Sequence, residues 1–424
     1  MATLAQLVER SDQLLAAVKS LCALDPGDAE FMIQNPDADT EIKQVKATIF
    51  ANAEAIKTLI QVPTDFLQQL ASQVEVLSCL YWLAEFQILA CIPPDQDISI
   101  KDLAELTEVP REQLYRIICM TATSGFLRVI PPEMVAHTPL SAQFMASQSL
   151  LDAVVFMAET VAPAALHMPS AIQRFRDSVT AYNIAKNDPS PFSLACQTQR
   201  KLGRQWAAYL RHAAGLHQAD EVVSVLSQLN WSNLGDACIV EVGAVSTIIA
   251  QYLAKQYPKL RLVVQMQLTS VFPQLPVPPQ EGDAQQRITI TYGVSNAAPQ
   301  TITDAAAYIL HLPPRSAEAT SSGTIRGLLQ GYLGILRISG SVLLIPTSRF
   351  LSEPGTFSDP GAESVARTRD LSMLQLFNEG EMALTELLQI IATVSDSTGK
   401  LTVVNELTAS NGAVLGIIIK HAVH

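Results

Sequence analysis

The chain has 424 residues, a length that accommodates about two domains, each burying a core of its own. Its 48% apolar and 16% charged residues are typical of a globular protein. The net charge of −12 argues against nucleic acid as a partner, because phosphate binding needs clustered lysine and arginine. The six cysteines contain no Cys-x-x-Cys pair and the seven histidines no zinc-ligand pattern, so we predict free thiols and no metal site.

The sequence also predicts the cellular location of the protein. No uninterrupted apolar run reaches the roughly 18 residues of a membrane span. The N-terminal residues are amphipathic and lack the basic and then apolar layout of a signal peptide. We therefore predict a cytoplasmic protein without a membrane partner.

Apolar residues at helical spacing predict three long helices at the start of the chain, over 1–22, 41–59 and 64–91, with a polar loop over 28–40. The helix over 64–91 is apolar on most faces, which indicates burial in a core or against a second subunit. A lone subunit would expose a large apolar patch on the first and third of these helices. We therefore predict an intertwined homodimer.

Residues 98–139 contain two short predicted helices followed by a strand pair, the order of elements in a winged helix. Winged helices commonly bind DNA through their second helix. Here that helix carries only Arg111 and Arg116, and Glu112 lies beside the first of them. Because a recognition helix needs a basic face, we predict that this unit does not bind DNA.

Helices are predicted over 150–175, 192–215 and 218–229. From residue 238 onward the chain alternates between strands and helices, with further helices predicted over 322–336 and 365–393. Apolar runs rich in β-branched residues predict seven strands, over 238–243, 259–265, 287–292, 305–311, 340–346, 400–406 and 412–420. This alternation predicts a mostly parallel sheet covered on both faces, and the short connection before the last strand predicts a hairpin.

A resemblance to a known family rests on segments from both halves of the chain, at 103–106, 137–141, 240–243, 254–265, 307–310 and 370–377. Together they resemble the plant-type family of dimeric small-molecule O-methyltransferases. The resemblance implies an α/β protein with an N-terminal all-helical dimerisation domain that contains the winged-helix unit, over 1–215. It also implies a C-terminal Rossmann-like, methyltransferase-type domain with seven strands, over 216–424.

The chain departs from this family where S-adenosylmethionine would bind. The family's turn resembles Asp-x-Gly-Gly-Gly-x-Gly, in which glycines let the backbone approach the cofactor without a Cβ clash. One of these glycines is kept as Gly243, and the other positions are Ala244, Val245 and Thr247. Met266 lies where the family has an acid for the ribose, and 293–296 replaces the acid at the adenine. We therefore predict that the chain uses no cofactor.

The family's catalytic base is also missing. In the family this base is a histidine, and its position falls at Arg315 in this chain. A guanidinium stays protonated near pH 7 and so cannot act as a base. These losses resemble those of the O-methyltransferase-like pericyclases of fungal natural-product pathways. A pericyclic step needs a shaped apolar cavity and a hydrogen-bond donor for a substrate carbonyl rather than a base.

This second resemblance implies a hetero-Diels–Alder or Alder-ene closure of a small-molecule substrate, a polyketide-derived quinone methide such as those of pyridone alkaloids. The implied catalytic residues are Arg315, His167 and His311. The implied substrate-binding residues, carried over from the family's acceptor pocket, are Trp206, Leu210, Met373 and Phe377.

Alternatives stay open for both residues and function. The four substrate-binding residues lie at i, i+4 spacing, which is also the spacing of a core-facing helix stripe. His167 also fits a half-buried helix position, His311 the end of a buried strand, and Arg315 a solvated loop. The alternative functions are an S-adenosylmethionine-dependent O-methyltransferase with an atypical cofactor site and a catalytically inactive methyltransferase-like subunit.

Overall fold

The computed structural model describes residues 2–24, 36–173, 179–215, 219–266, 285–293, 299–312, 322–347, 350–351, 353–357, 360–409 and 412–423. The chain forms two compact units. The first extends to Val76, and the second contains nearly all residues from Leu77 onward. The predicted domain boundary at residue 215 falls within the second unit and stays a prediction.

The first unit is built from helices, with α1 packed against α2. The helices that begin in it are α1 (Ala2–Leu24), α2 (Pro36–Ile60) and α3 (Pro63–Glu85). The loop predicted over 28–40 is wrong for residues 36–40, which are helical; residues 28–35 lie outside the described chain. Proline at the first helical position followed by Asp37 is a favourable helix start.

The first unit leaves many apolar side chains exposed on the single chain. They include Leu4, Val8, Phe50, Ile60, Phe66, Leu67, Leu70 and Val74. The C-terminal part of α3 differs, because Cys79 and Leu83 are buried in the second unit's core. Isolated exposed apolar residues are common in proteins, whereas a contiguous apolar surface indicates an interaction site.

Residues 98–137 contain the predicted helix-turn-helix and hairpin. The elements after α3 are α4 (Ile88–Cys91), β1 (Ile98–Ser99), α5 (Ile100–Thr107), α6 (Arg111–Thr123), β2 (Leu127–Ile130) and β3 (Met134–His137). The strands form an antiparallel sheet in the order β1–β3–β2. Ser99 caps α5 by accepting a hydrogen bond from the Asp102 N–H, and Leu114 and Ile118 bury the inner face of α6.

A helical layer connects this sheet to the larger one. It consists of α7 (Pro139–Ala146), α8 (Gln148–Phe156), a π-helical turn (Met157–Val161), α9 (Ala162–Gln173), α10 (Ala181–Lys186), α11 (Phe192–Thr198), α12 (Arg200–His212) and α13 (Ala219–Ser227). Among the described residues, Gln148–Gln173 is long and apolar enough to span a membrane. Its residues Phe156 and Ala164 are fully buried in the protein core, as in a core helix of a globular domain.

The second half of the chain forms a seven-stranded sheet in the order β11–β12–β8–β7–β4–β5–β6. The strands are β4 (Cys238–Ala244), β5 (Arg261–Met266), β6 (Ile288–Tyr292), β7 (Ala307–Leu310), β8 (Val342–Thr347), β11 (Gly399–Thr408) and β12 (Leu415–Val423). The five strands from β8 to β6 are parallel, and β11 and β12 form the predicted antiparallel hairpin. The predicted α/β fold class is confirmed.

Apolar clusters cover both faces of the sheet. The covering helices are α14 (Ile248–Gln256), α15 (Ser322–Ser339) and α17 (Leu384–Thr393). Between the last two lies α16 (Pro360–Phe377), whose Met373 and Leu376 belong to a third apolar cluster in the helical layer. Short 3-10 turns lie at Trp231–Leu234 and Gln285–Arg287, and a parallel strand pair joins β9 (Phe350–Leu351) to β10 (Met382–Ala383).

Three helices that the pattern predicted as continuous are each broken. The helix over 64–91 ends before Gln87, which has a φ of 54°. The helix over 192–215 is interrupted at Gln199, whose backbone is extended. The helix over 365–393 is interrupted after Phe377, because Asn378 takes a φ of 57°. The apolar period continues across each break, so periodicity alone did not locate them.

Candidate functional site

The turn after β4 lies where the strand order reverses, the usual ligand position in this class of sheet. Gly243 has a φ of 72°, a left-handed conformation that suits glycine, and Ala244 is buried. Val245 is 40% exposed, whereas Thr247 is 4% exposed. The Nε2 of Gln251 donates to the Oγ1 of Thr247 at 3.0 Å. Side chains therefore occupy a turn that the methyltransferase resemblance requires to be bare backbone.

The end of β5, where the resemblance places the ribose, is closed by its own polar groups. Gln265 and Gln300 exchange two amide hydrogen bonds of 3.0 and 2.9 Å. The Ile302 N–H also donates to the Oε1 of Gln300 at 3.0 Å. Met266 is buried, and its thioether is too weak an acceptor to hold the hydroxyls of a ribose.

These side chains do not fit S-adenosylmethionine. The turn lacks the bare backbone and β5 lacks the carboxylate that the resemblance calls for. Most of the adenine-facing segment 293–296 lies outside the described residues. That the chain uses no cofactor stays a prediction until binding is measured.

The buried Glu241 in β4 and the partly buried His311 after β7 form a pair in this region. The Nε2 of His311 lies 2.9 Å from the Oε1 of Glu241. The Oε2 of Glu241 has no hydrogen-bond partner within the described part of the chain. The His311 N–H also donates to the carbonyl of Val242 at 2.9 Å, which extends the β4–β7 ladder. Because an unpaired buried carboxylate is costly, this contact gives His311 a structural role; its catalytic role stays a prediction.

The four predicted substrate-binding residues come together in one apolar group, called here the aromatic cluster. It contains Phe156, Tyr182, Phe192, Leu202, Trp206, Tyr209, Leu210, Met373 and Leu376, with Phe377 packed against it. The Trp206 ring centroid lies 5.4 Å from that of Phe156 and 5.3 Å from that of Phe192. Trp206, Leu210 and Met373 are only 3–6% exposed. The protein itself therefore covers most of the surface they would offer a ligand.

A buried hydrogen bond connects the two helices that carry this cluster. The hydroxyl of Ser372 donates to the Thr368 carbonyl at 2.8 Å, so the Tyr209 hydroxyl donates to Ser372 at 2.7 Å. Burial raises the pKa of Tyr209, against smaller opposing effects of Ser372 and Arg369. The sequence analysis did not single out Tyr209, although it shares the apolar face of α12 with Trp206.

The two other predicted catalytic residues are His167 and Arg315. His167 is partly buried in α9, where its Nδ1 donates to the Pro163 carbonyl at 2.9 Å. That bond leaves Nε2 as the ring atom that could contact another group. Arg315 lies outside the described residues. The catalytic roles of both stay predictions.

The helix-turn-helix offers little free positive charge. Arg111, at the start of α6, forms an ion pair with Glu133 at the tip of the hairpin. Within the residues that the structure describes, no group of three His, Cys, Asp or Glu side chains is placed to hold a metal ion.

Comparison with known sequences identifies close relatives. No family model matches the chain. It is 47% identical over 449 residues to the notoamide biosynthesis cluster transcriptional coactivator notR of Aspergillus sp. (strain MF297-2), covering 99% of this chain and 97% of that protein. It is 43% identical over 445 residues to the transcriptional coactivator nsrH of Aspergillus novofumigatus, covering 99% and 98%. The chain belongs to this coactivator family.

Solved structures similar to this member of the coactivator family include an O-methyltransferase. The mitomycin 7-O-methyltransferase MmcR matches with a TM-score of 0.59 at 16% identity, over 85% of this chain and 98% of that one. LepI in complex with S-adenosylmethionine matches with a TM-score of 0.64 at 15% identity, over 98% and 100%. At such identities these matches show an O-methyltransferase-like fold and no more.

Proposed function

We propose that the chain is a transcriptional coactivator of a fungal biosynthetic gene cluster that works by binding another protein. The 47% identity to a cluster coactivator over nearly the full length of both proteins carries this proposal. The turn after β4 and the end of β5 carry side chains that do not fit the cofactor of methyl transfer. This corresponds to the catalytically inactive methyltransferase-like subunit among the predicted alternatives.

The charge of the chain indicates how it would reach a promoter. Its net charge is −12, and Arg111 of the helix-turn-helix is already paired with Glu133. Phosphate contacts need several unpaired cations on one surface. A separate DNA-binding activator would therefore supply these contacts, and a basic partner would be attracted by the acidic chain.

The coactivator is further proposed to be a homodimer in the cytoplasm and nucleus of the fungal cell, which extends the predicted cytoplasmic location. The exposed apolar side chains of the first unit, such as Phe50, Phe66 and Leu67, support self-association. A monomer by light scattering at micromolar concentration would contradict the dimer.

The proposal is tested on promoter DNA with the DNA-binding activator of the same gene cluster. In a gel-shift experiment the chain alone leaves a promoter fragment unshifted, because its net charge of −12 opposes binding to phosphate. The activator shifts the fragment, and addition of the chain retards that complex further. A chain that shifts the DNA alone, or that leaves the activator complex unchanged over a range of micromolar concentrations, contradicts the proposal.

A pericyclase is the second candidate. The observation in its favour is the match to a pericyclic reaction enzyme, with a TM-score of 0.64 at 14% identity over 97% of this chain. In this proposal Arg315, His167 and His311 act on a quinone methide held beside Trp206. The purified chain would then accelerate closure of such a substrate, and His167→Ala would slow it. Closure at the uncatalysed rate contradicts this candidate.

A further inference from the structure

Two of the 24 prolines directly follow a hydroxyl residue, in Thr138-Pro139 and in Ser190-Pro191. A serine or threonine before proline is the minimal target of the proline-directed protein kinases. Such a kinase binds the residues around its target in an extended form, and a carboxylate of the kinase accepts the proton of the target hydroxyl. The surroundings of each hydroxyl therefore decide which dipeptide can be modified in the folded chain.

The hydroxyl of Thr138 is held by the fold. Its Oγ1 donates to the Phe126 carbonyl at 2.7 Å and accepts from the Ser141 N–H at 3.3 Å. These bonds make Thr138 the cap of α7. A kinase would have to break both bonds and open the start of the helix, so we expect Thr138 to stay unmodified in the native chain.

Ser190 lies instead in the connection over 187–191, between α10 and α11 and outside any helix or strand. Pro189 and Pro191 are exposed, and Ser190 is partly exposed. Pro191 has a φ of −57° and a ψ of 141°, close to the extended polyproline II form. Because proline fixes its own φ, a segment with a proline on each side of the target loses little freedom when a kinase binds it.

Ser190 makes its hydrogen bonds to Asp188, two positions earlier. The Ser190 N–H donates to the Oδ1 of Asp188 at 2.8 Å. This backbone bond, and after it a bond from the Ser190 hydroxyl, lower the pKa of Asp188. The Asp188 carboxylate is therefore ionised near neutral pH and lies beside the hydroxyl that a kinase would modify.

The same connection positions a side chain of the aromatic cluster. The Nδ2 of Asn183 donates to the carbonyls of Asp188 and Ser190, at 2.7 and 2.8 Å. Phe192 follows two residues after Ser190, is 1% exposed and belongs to the cluster. A displacement of Ser190 would therefore act on the bonds of Asn183 and on the start of α11.

We propose that Ser190 is a phosphorylation site for a proline-directed kinase, and that the phosphate loosens the connection between α10 and α11. The kinase transfers the γ-phosphoryl group of ATP to the Oγ of Ser190. The bond between the γ-phosphorus and its bridging oxygen breaks, ADP leaves, and the hydroxyl proton passes to the kinase. The phosphate carries a charge of about −1.5 to −2 at pH 7, so a donor to Asp188 is replaced by a group that repels it.

This site does not rest on the coactivator proposal. Phosphate incorporation is measured on the chain alone, whereas the promoter experiment needs the activator and DNA. A chain that fails to act at the promoter can still be phosphorylated, and a chain that is not phosphorylated can still act there.

The test is to incubate the folded, full-length chain with ATP and a purified mitogen-activated protein kinase and to locate phosphate by mass spectrometry. Myelin basic protein serves as the positive control for the kinase. We expect phosphate on Ser190 and none on Thr138, and Ser190→Ala loses it. Pro191→Ala is the matched control, because it keeps the hydroxyl but lacks the proline, and it remains unlabelled. No phosphate on Ser190, or equal labelling of Pro191→Ala, overturns the proposed site.

Thermal unfolding tests the effect of the phosphate. The phosphorylated chain melts about 2–4 °C below the unmodified chain, the shift expected when about one hydrogen bond is lost. Asp188→Asn removes the charge that the phosphate repels, so phosphorylation lowers the melting temperature of this variant less. A phosphorylated chain that melts no lower than the unmodified one, or an equal shift in Asp188→Asn, overturns the proposed loosening.

Discussion

Val245 and Thr247 occupy the turn at which a methyltransferase of this fold would approach its cofactor through bare backbone. Thr247 is held by Gln251, and Met266 takes the place of the acid at the end of β5. The side chains of this turn thus differ from the glycines that the methyltransferase resemblance calls for.

At the scale of these residues we predict that calorimetric titration of the chain with S-adenosylmethionine gives no heat up to millimolar concentration. The resembled family has glycines where this turn has Val245 and Thr247, and Met266 cannot accept hydrogen bonds from both ribose hydroxyls. LepI, whose structure contains S-adenosylmethionine, is a suitable positive control. Micromolar binding would contradict this account of the turn.

The altered cofactor turn could be predicted from the sequence because a strand, its turn and the next helix are neighbours in the chain. Contacts between distant segments could not. Glu241 and His311 are 70 positions apart, and only the β4–β7 pairing brings them together. The bond between Tyr209 and Ser372, 163 positions apart, likewise depends on how two distant helices pack, which periodicity does not determine.

At the scale of elements, the close packing of α11 on α12 depends on one glycine. A Cβ at Gly203 would lie 2.8 Å from the carbonyl oxygen of Cys196, a backbone atom that can move only with its helix. The break at Gln199 brings these two helices together. The same apolar period runs through both, which explains why a single helix over 192–215 was predicted.

We predict that Gly203→Ala lowers the free energy of unfolding by about 1–3 kcal/mol, the usual cost of overpacking. The matched control is Gly327→Ala in α15, where a Cβ would meet nothing within 4 Å. That variant gains about 0.5–1 kcal/mol, since alanine favours a helix interior over glycine. Urea denaturation measures both changes. Equal stabilisation by the two substitutions would contradict the close approach.

At the scale of the whole molecule, the chain has an O-methyltransferase-like fold and belongs to a family of transcriptional coactivators. The sheet order matches an O-methyltransferase-like fold, and periodicity was enough to predict it because each strand is a strong apolar run. Function did not follow from the fold. One architecture supports many activities, and the family relationship, rather than the sheet, is what points to gene regulation.

The most direct test of the coactivator proposal is to delete the gene in the fungus that encodes the chain and measure transcripts of the neighbouring biosynthetic genes. Metabolites are measured in the same cultures. We predict that the transcripts fall strongly and that no uncyclised intermediate accumulates, because the chain acts on expression. Unchanged transcripts with an accumulating uncyclised intermediate would contradict this account and favour the pericyclase.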